Sequence, residues 1–262
     1  MNNLLQKIRG ASGHVAFYYR PLDGGCAQMY NEMMPLVAAS VIKIPIMVEA
    51  FRQFESGELN PLATYRIKPE DKMPSCGALN RMHDGLEVTM RDLVELMIVL
   101  SDNSATNILI DRLGIARVNA TLEAEGLRVT RLRRKLFDKA GMEAGLSNYV
   151  CAREIGLLLE RMYAGTLVSP QASAEMLEIL RNQKLNGKMP FFLKPRGIAC
   201  AHKTGEDDGI THDTGIVFAK KPFIVCFCNW QLPEGEEGKM NVLIGQITRE
   251  LWDAMGGEPE DN

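Results

Sequence analysis

No uninterrupted apolar segment of this chain approaches ~18 residues, the length a membrane-crossing helix needs, so no membrane partner is expected. The opening stretch, Met1 to Gly10, carries Lys7 and Arg9 and no apolar run of signal-peptide length, which reads as a soluble, cytoplasmic chain. Histidine is scarce: the four residues His14, His83, His202 and His212 come with neither a Gly-x-Ser-x-Gly elbow nor a His-Glu-x-x-His helix. A histidine-served serine elbow and a helix-borne zinc site are both excluded on that ground. Charge of one sign is not in excess, and a net charge of -3 at pH 7 gives no global pull toward nucleic acid. Internal repeats, low-complexity runs and flexible linkers are missing, so residues 1–262 read as one unit, expected as a monomer.

Six cysteines are present but scattered, at Cys26, Cys76, Cys151, Cys200, Cys226 and Cys228. A chain of this length needs no disulfide framework, and no zinc spacing occurs, so the thiols read as reduced. Cys226-Phe227-Cys228 lies in a strand-like run, where alternation sends both thiols to one buried face. No metal and no cofactor is implied.

What is present divides the chain into sheet-forming ends and a helical middle. His14 to Arg20 and Cys26 to Tyr30 read as a hairpin around Leu22-Asp23-Gly24-Gly25. Ile198 to Lys203, Thr214 to Ala219 and Phe223 to Trp230 read as three further strands, with a closing helix at about Lys239 to Trp252. Helices are expected over Thr89 to Leu100, Ser104 to Leu113, Ile115 to Glu125, Cys151 to Tyr163 and Ser169 to Arg181. Thr89 with Asp92 resembles a capping box, Ser169-Pro170 places a cap before an N1 proline, and Gly114, Gly126 and Gly165 fit as stops. This order predicts an α+β fold: an antiparallel five-stranded sheet formed by both termini, flanked by helices, with an inserted all-helical subdomain. The sheet part would take approximately 1–45 and 185–262, and the helical part approximately 46–184. A cleft is expected at their junction, and Glu258 to Asn262 reads as a frayed acidic tail.

Three short strings carry chemistry: Ser40-Val41-Ile42-Lys43, Ser101-Asp102-Asn103 and Lys203-Thr204-Gly205. Singly they are weak, with chance expectations of roughly 0.4, 0.02 and 0.04, but together they come near 10⁻⁴ to 10⁻³ by the same rough arithmetic. Each has a plain structural reading. Ser40 could cap a helix, Ser101 or Asp102 could cap the helix near Ser104, and Lys203 could guard a strand edge. Lys43 resists that treatment, because Val41, Ile42, Ile44, Pro45, Ile46, Met47 and Val48 surround it with apolar side chains on almost every side. On a helix an i, i+3 pair shares a face, so the Lys43 amine can meet the Ser40 hydroxyl. A desolvated lysine in a positive setting loses its proton readily enough to activate a serine. A glycine at 205 lets a ligand approach the strand backbone. His202, beside Lys203, should face the other side of its strand and be a packed histidine.

With these strings the chain resembles the class A serine β-lactamase family, itself similar to the penicillin-binding D,D-peptidases. The likeness extends to Asp102-Asn103-Ser104-Ala105-Thr106-Asn107 and to His83-Asp84-Gly85-Leu86 before Thr89. The family fold is a five-stranded sheet with helices plus an all-helical subdomain. The resemblance implies that Ser40 is the acylated nucleophile, Lys43 a base for acylation, and Ser101 the group that passes a proton to the leaving nitrogen. It implies that Asn103 binds a substrate amide and orients Lys43, that Lys203 and Thr204 hold a substrate carboxylate beside Gly205, and that the backbone N–H groups of Ser40 and Glu206 form the oxyanion hole. Its substrate would be a small molecule, a β-lactam or a related amide or ester.

One segment departs from the family. Class A enzymes carry Arg-x-Glu-x-x-Leu-Asn, with the glutamate activating the water that releases the acyl group. Here the loop reads Thr130-Arg131-Leu132-Arg133-Arg134-Lys135-Leu136-Phe137-Asp138, and aligning Arg134 puts Leu136 in the glutamate's place. The nearest carboxylates are Asp138 and Glu143, and Asp138 is the candidate for a displaced water base; otherwise it partners nearby arginines. The basic cluster Arg128, Arg131, Arg133, Arg134, Lys135 and Lys139 reads as a loop tied down by arginine pairs. Three functions remain in view: a β-lactamase-type serine hydrolase with slow deacylation, a D,D-peptidase or related penicillin-binding acyl-transferase, and a catalytically idle β-lactam-binding domain.

Overall fold

In the computed structural model, which describes residues 2–260, both ends of the chain feed one antiparallel sheet. Its strands are β1 (His14–Pro21), β2 (Gln28–Tyr30), β7 (Ala199–Asp207), β8 (Ile210–Phe218) and β9 (Phe223–Trp230), in the order β2-β1-β9-β8-β7. Two short pairs stand apart from this sheet: β3 (Leu36–Val37) with β6 (Tyr149–Val150), and β4 (Thr64–Arg66) with β5 (Glu87–Thr89) between helices of the middle. The helices are α1 (Asn2–Arg9), α2 (Lys43–Glu55), α3 (Met90–Val99), α4 (Asn103–Leu113), α5 (Ile115–Ala124), α6 (Lys139–Glu143), α7 (Ala152–Tyr163), α8 (Pro170–Arg181) and α9 (Glu237–Ala254).

Alternation along the strands divides the core in two. Ala16, Tyr18, Ile216, Ile224, Cys226 and Cys228 pack with the helical middle, while Val15, Phe17, Tyr19, Val217, Val225 and Phe227 pack under α1 and α9. Both thiols of the Cys226-Phe227-Cys228 run therefore share one buried face as free cysteines, as the pattern implied. Covered on both faces, β8 buries all of its residues, which is why its sequence shows no polar alternation.

Helix boundaries follow the capping chemistry. Thr89 and Asp92 form the expected capping box on α3, Ser169 accepts the Ala172 N–H ahead of Pro170, and Gly114, Gly126 and Gly165 all take positive φ. One expectation needs correction: β7 does not stop at Lys203. It continues through Asp207, and β8 begins at Ile210, so Asp208 and Gly209 alone make the hairpin turn, with Gly209 at φ +66. Charged Glu206, Asp207 and Asp208 look like a loop in sequence because this end of the hairpin projects into solvent. The tail is also less free than expected: Pro259 bridges Ala219 and Glu258 pairs with Lys220, while Asp261 and Asn262 lie outside the described residues. Among the described residues no helix is long and apolar enough to cross a membrane.

Candidate active site

Ser40 sits in a 3₁₀ turn, Ala39–Ile42, that runs directly into α2 at Lys43. The Lys43 N–H donates to the carbonyls of Ser40 and Val41, so Lys43 follows Ser40 by one tight turn, in which i and i+3 side chains eclipse. Ala39, just before the serine, holds φ 41, a left-handed backbone that costs a non-glycine residue roughly 1–2 kcal/mol. Ser101 is held at φ 53 in the turn between α3 and α4, a second strained non-glycine position at the same site.

Two buried lysines converge on that second serine. Lys43 Nζ donates to Ser101 O at 2.8 Å, to Ser101 Oγ at 3.0 Å and to Asn103 Oδ1 at 2.8 Å. Lys203 Nζ donates to the same Ser101 Oγ at 3.0 Å and to Thr204 O at 2.9 Å. Both ammonium sites are fully shielded from solvent. Burial first, and then the charge of Lys203, hold the Lys43 amine well below the ordinary lysine range. Burial likewise brings Lys203 down to about 7, with Asp213 opposing the shift and Lys188 adding to it. A hydroxyl shared by two amines whose basicity burial has lowered is a ready proton conduit.

The surrounding loops are stitched to this point. Asp102 caps α4 through the Ala105 N–H and also accepts the N–H groups of Ala78 (2.7 Å) and Leu79 (2.9 Å). Asn103 Nδ2 donates to Pro74 O, and Ser104 Oγ accepts the Met73 N–H, so the segment 73–79 is laced onto the start of α4. Gly77 makes this possible: at φ +117, a Cβ there would lie 2.3 Å from the Asp102 carboxylate. Sequence reasoning saw Asp102 only as a cap; its second task depends on contacts across 23 residues or more, with no local signal.

Lys203, Thr204 and Gly205 lie within β7, the edge of the sheet. The Thr204 carbonyl faces the free rim, where it meets Lys203; strand alternation puts the N–H of Glu206, two residues on, along the same rim. Gly205 is needed for close packing, since a Cβ would stand 3.2 Å from Val41 Cγ2 and 3.3 Å from Ala39 Cβ on the turn that carries Ser40. His202 faces away from Lys203, buried with Nδ1 2.8 Å from Asp213 Oδ1, as the packed-histidine reading has it.

His212 fastens this strand pair to β3. Its Nδ1 accepts the Asn229 N–H at 3.0 Å, which leaves Nε2–H to donate to Val37 O at 2.8 Å: a neutral ring. Burial pushes it down to about 4. The unfolded chain then binds the proton first as pH falls, so this contribution is complete above about pH 6.5 and is lost progressively toward pH 4, on the order of 3 kcal/mol in all. Urea midpoints at pH 7.5 and pH 4.5 check this: wild type should lose more over the interval than His212→Gln.

A cleft of about 250 Å³ opens beside Ser40, lined also by Ser75, Cys76, Asn103, Arg134, Leu136, Phe137, Met142, Asn148 and Glu206. Asn107 brackets Leu136 on its loop, Nδ2 donating to Leu136 O and Oδ1 accepting the Leu136 N–H, each at 2.9 Å. Asn148 does the same for 133–134, accepting both N–H groups and donating to Arg134 O. The loop is thus held mainly by asparagines and carbonyl contacts, with Arg131–Glu123 and Lys135–Asp111 as the ion pairs. Asp138 is not among the cleft-lining residues. Its carboxylate accepts the Gly141 N–H at 3.1 Å as the N-cap of α6, so its partner is a backbone amide and not an arginine. Ser40, Lys43, Ser101, Asn103, Lys203, Thr204 and Gly205 are brought together; Asp138 is not.

A family model described as "Beta-lactamase enzyme family" matches residues 1–255. The chain belongs to the beta-lactamase enzyme family. This family member is 26% identical over 252 residues to beta-lactamase CARB-4 of Pseudomonas aeruginosa, covering 94% of this chain and 87% of that protein. Its fold superposes on the beta-lactamase of Sphaerobacter thermophilus with a TM-score of 0.89 at 29% identity, covering 98% of this chain and 97% of the other. PBP-A is similarly close, with a TM-score of 0.86 at 28% identity over 98% and 97% of the two chains. A leucine-to-glutamate variant of PBP-A has been solved as an acyl-enzyme complex with penicillin G. The hydrolase assignment thus follows from the family, and the α+β fold with its antiparallel five-stranded sheet from the shared architecture.

Proposed function

We propose that this hydrolase opens a β-lactam ring through an acyl-Ser40 intermediate and releases the product slowly. The observation that carries the reading is the convergence of Lys43 and Lys203 on Ser101 Oγ beside the cleft of Ser40. Lys43, low in basicity and one turn from Ser40, takes the hydroxyl proton as Oγ attacks the lactam carbonyl carbon. The oxyanion forms against the N–H groups of Ser40 and Glu206, donors each worth about 3 kcal/mol in such sites. The C–N bond then breaks, and Ser101 passes a proton to the leaving nitrogen, replenished from the lysine pair. Asn103 holds the acyl-side amide, and Lys203 with Thr204 holds the carboxylate.

Slow release follows from the cleft wall. Leu136 lines the cleft with Ser40, and the carboxylates that line it, Glu206 and Asp207, come from β7 and not from 130–138; without a base in that loop, water attacks an ester slowly. The same observation, with the likeness to PBP-A, favours a second reading in which the natural substrate is a D-Ala-D-Ala-type peptide and penicillin acts as a trap. Intact-mass spectrometry after mixing with penicillin G tests the acyl-Ser40 reading. The expected result is an adduct of one whole penicillin on Ser40 that persists for minutes or longer; no adduct, or one on another residue, overturns it. Release of D-alanine from a D-Ala-D-Ala peptide would select the second reading.

A further inference from the structure

Lys188 is a buried cation for which the chemistry above has no task. Its side chain is 2% exposed, and Nζ donates to Gly205 O and His212 O at 3.1 Å each while meeting Glu206 Oε1 at 3.0 Å. Gly205 and His212 face each other across the β7–β8 ladder, so the ammonium clasps both strands at the end that borders the cleft. Burying an ammonium is costly, and packing alone would be served by methionine. The backbone around it is itself fixed. Met189 N–H donates to the buried Asp213 Oδ2 at 2.9 Å, and a Cβ on Gly245 would come within 2.9 Å of the Lys188 carbonyl.

One acceptor matters most. The Gly205 carbonyl belongs to the same peptide unit as the Glu206 N–H. A peptide unit is planar, and no cis bond occurs among the described residues, so fixing its oxygen on the β8 side aims its N–H at the opposite rim. That rim borders the cleft that Ser40 and Glu206 both line. A cation on the oxygen also draws electron density through the amide and makes the N–H a stronger donor, as in any polarised hydrogen-bond chain.

We propose that Lys188 is a positioning residue for the oxyanion hole, orienting and polarising the Gly205–Glu206 peptide so that its N–H binds the developing oxyanion and the acyl-ester oxygen more strongly. The inference rests on the acyl-Ser40 reading. Its test uses the full chain, penicillin G, and the variants Lys188→Met and Lys188→Gln, the second retaining a hydrogen-bond donor without charge. Infrared difference spectra of the acyl-enzyme report the ester carbonyl, whose stretch falls as oxyanion-hole hydrogen bonds strengthen. Stopped-flow acylation separates the acylation step from binding of unreacted penicillin.

In the variants the ester band should move to higher wavenumber and acylation should slow about ten-fold, with binding of unreacted penicillin little changed. An unmoved band with a wild-type acylation rate overturns the proposal. So does a loss confined to penicillin binding with the band unmoved, because that is the signature of a merely structural lysine. If methionine prevents folding, as judged by circular dichroism and melting, the glutamine variant carries both readouts. Failure of wild type to form any adduct is a different outcome: it removes the acyl-Ser40 reading, and this inference with it.

Discussion

Ser40→Ala forms no covalent adduct with penicillin G, and any β-lactam turnover falls by about 10⁴-fold or more, since in the acyl-Ser40 reading the hydroxyl one turn from Lys43 is the group that forms the ester. The protein remains folded, because Ser40 is half-buried and its replacement opens no large cavity. Intact-mass spectrometry reads the first outcome, nitrocefin hydrolysis the second, and thermal melting the third. An adduct on the alanine variant of the same size and rate as on wild type would move the chemistry to another residue. Cys76, exposed on the cleft wall, would then be examined first.

Leu136→Glu shortens the life of the acyl-enzyme by about 10²- to 10³-fold while leaving its formation within a small factor of wild type. The argument is geometric. Asn107 grips the backbone of residue 136 from both sides, so the side chain is exchanged without releasing the loop. The new carboxylate enters a cleft wall that Ser40 shares, where it can take a proton from water; general-base catalysis is typically worth 10²- to 10⁴-fold, roughly the range expected here. Asp138→Asn should leave the lifetime unchanged, because that carboxylate is committed to capping α6. The readout is decay of the adduct mass after removal of free penicillin. A glutamate variant that decays no faster than wild type would show that a missing base is not what delays release.

Much of the fold was legible because it depends on local chemistry. Caps at Thr89 and Ser169, glycine stops, and period-two strands at both ends mark elements by residues a few positions apart. Where the reading erred, an exposed element end was the reason. Charged Glu206 to Asp208 resemble a loop, yet the ladder with β8 continues to Asp207 because one rim of an edge hairpin can stand in water. The candidate site was legible for another reason: Lys43 is a lysine in an apolar run, an anomaly that needs a distant partner to resolve it, and Ser101 and Asn103 supply one.

Asp102 holding Ala78 and Leu79, Asn107 and Asn148 gripping the loop, and Lys188 clasping two strands left no mark in the sequence. Asparagines and lysines are common, and nothing nearby distinguishes these from solvated ones. By itself the chain of residues determined the element order, the sheet-forming ends and the α+β architecture, because periodicity and capping act over a few positions, and its three short strings marked the candidate site. Tertiary structure alone decided that two amines share one serine hydroxyl and that residue 136 presents a leucine to the cleft. Those outcomes depend on distances between segments up to 102 residues apart, which only the packed core fixes.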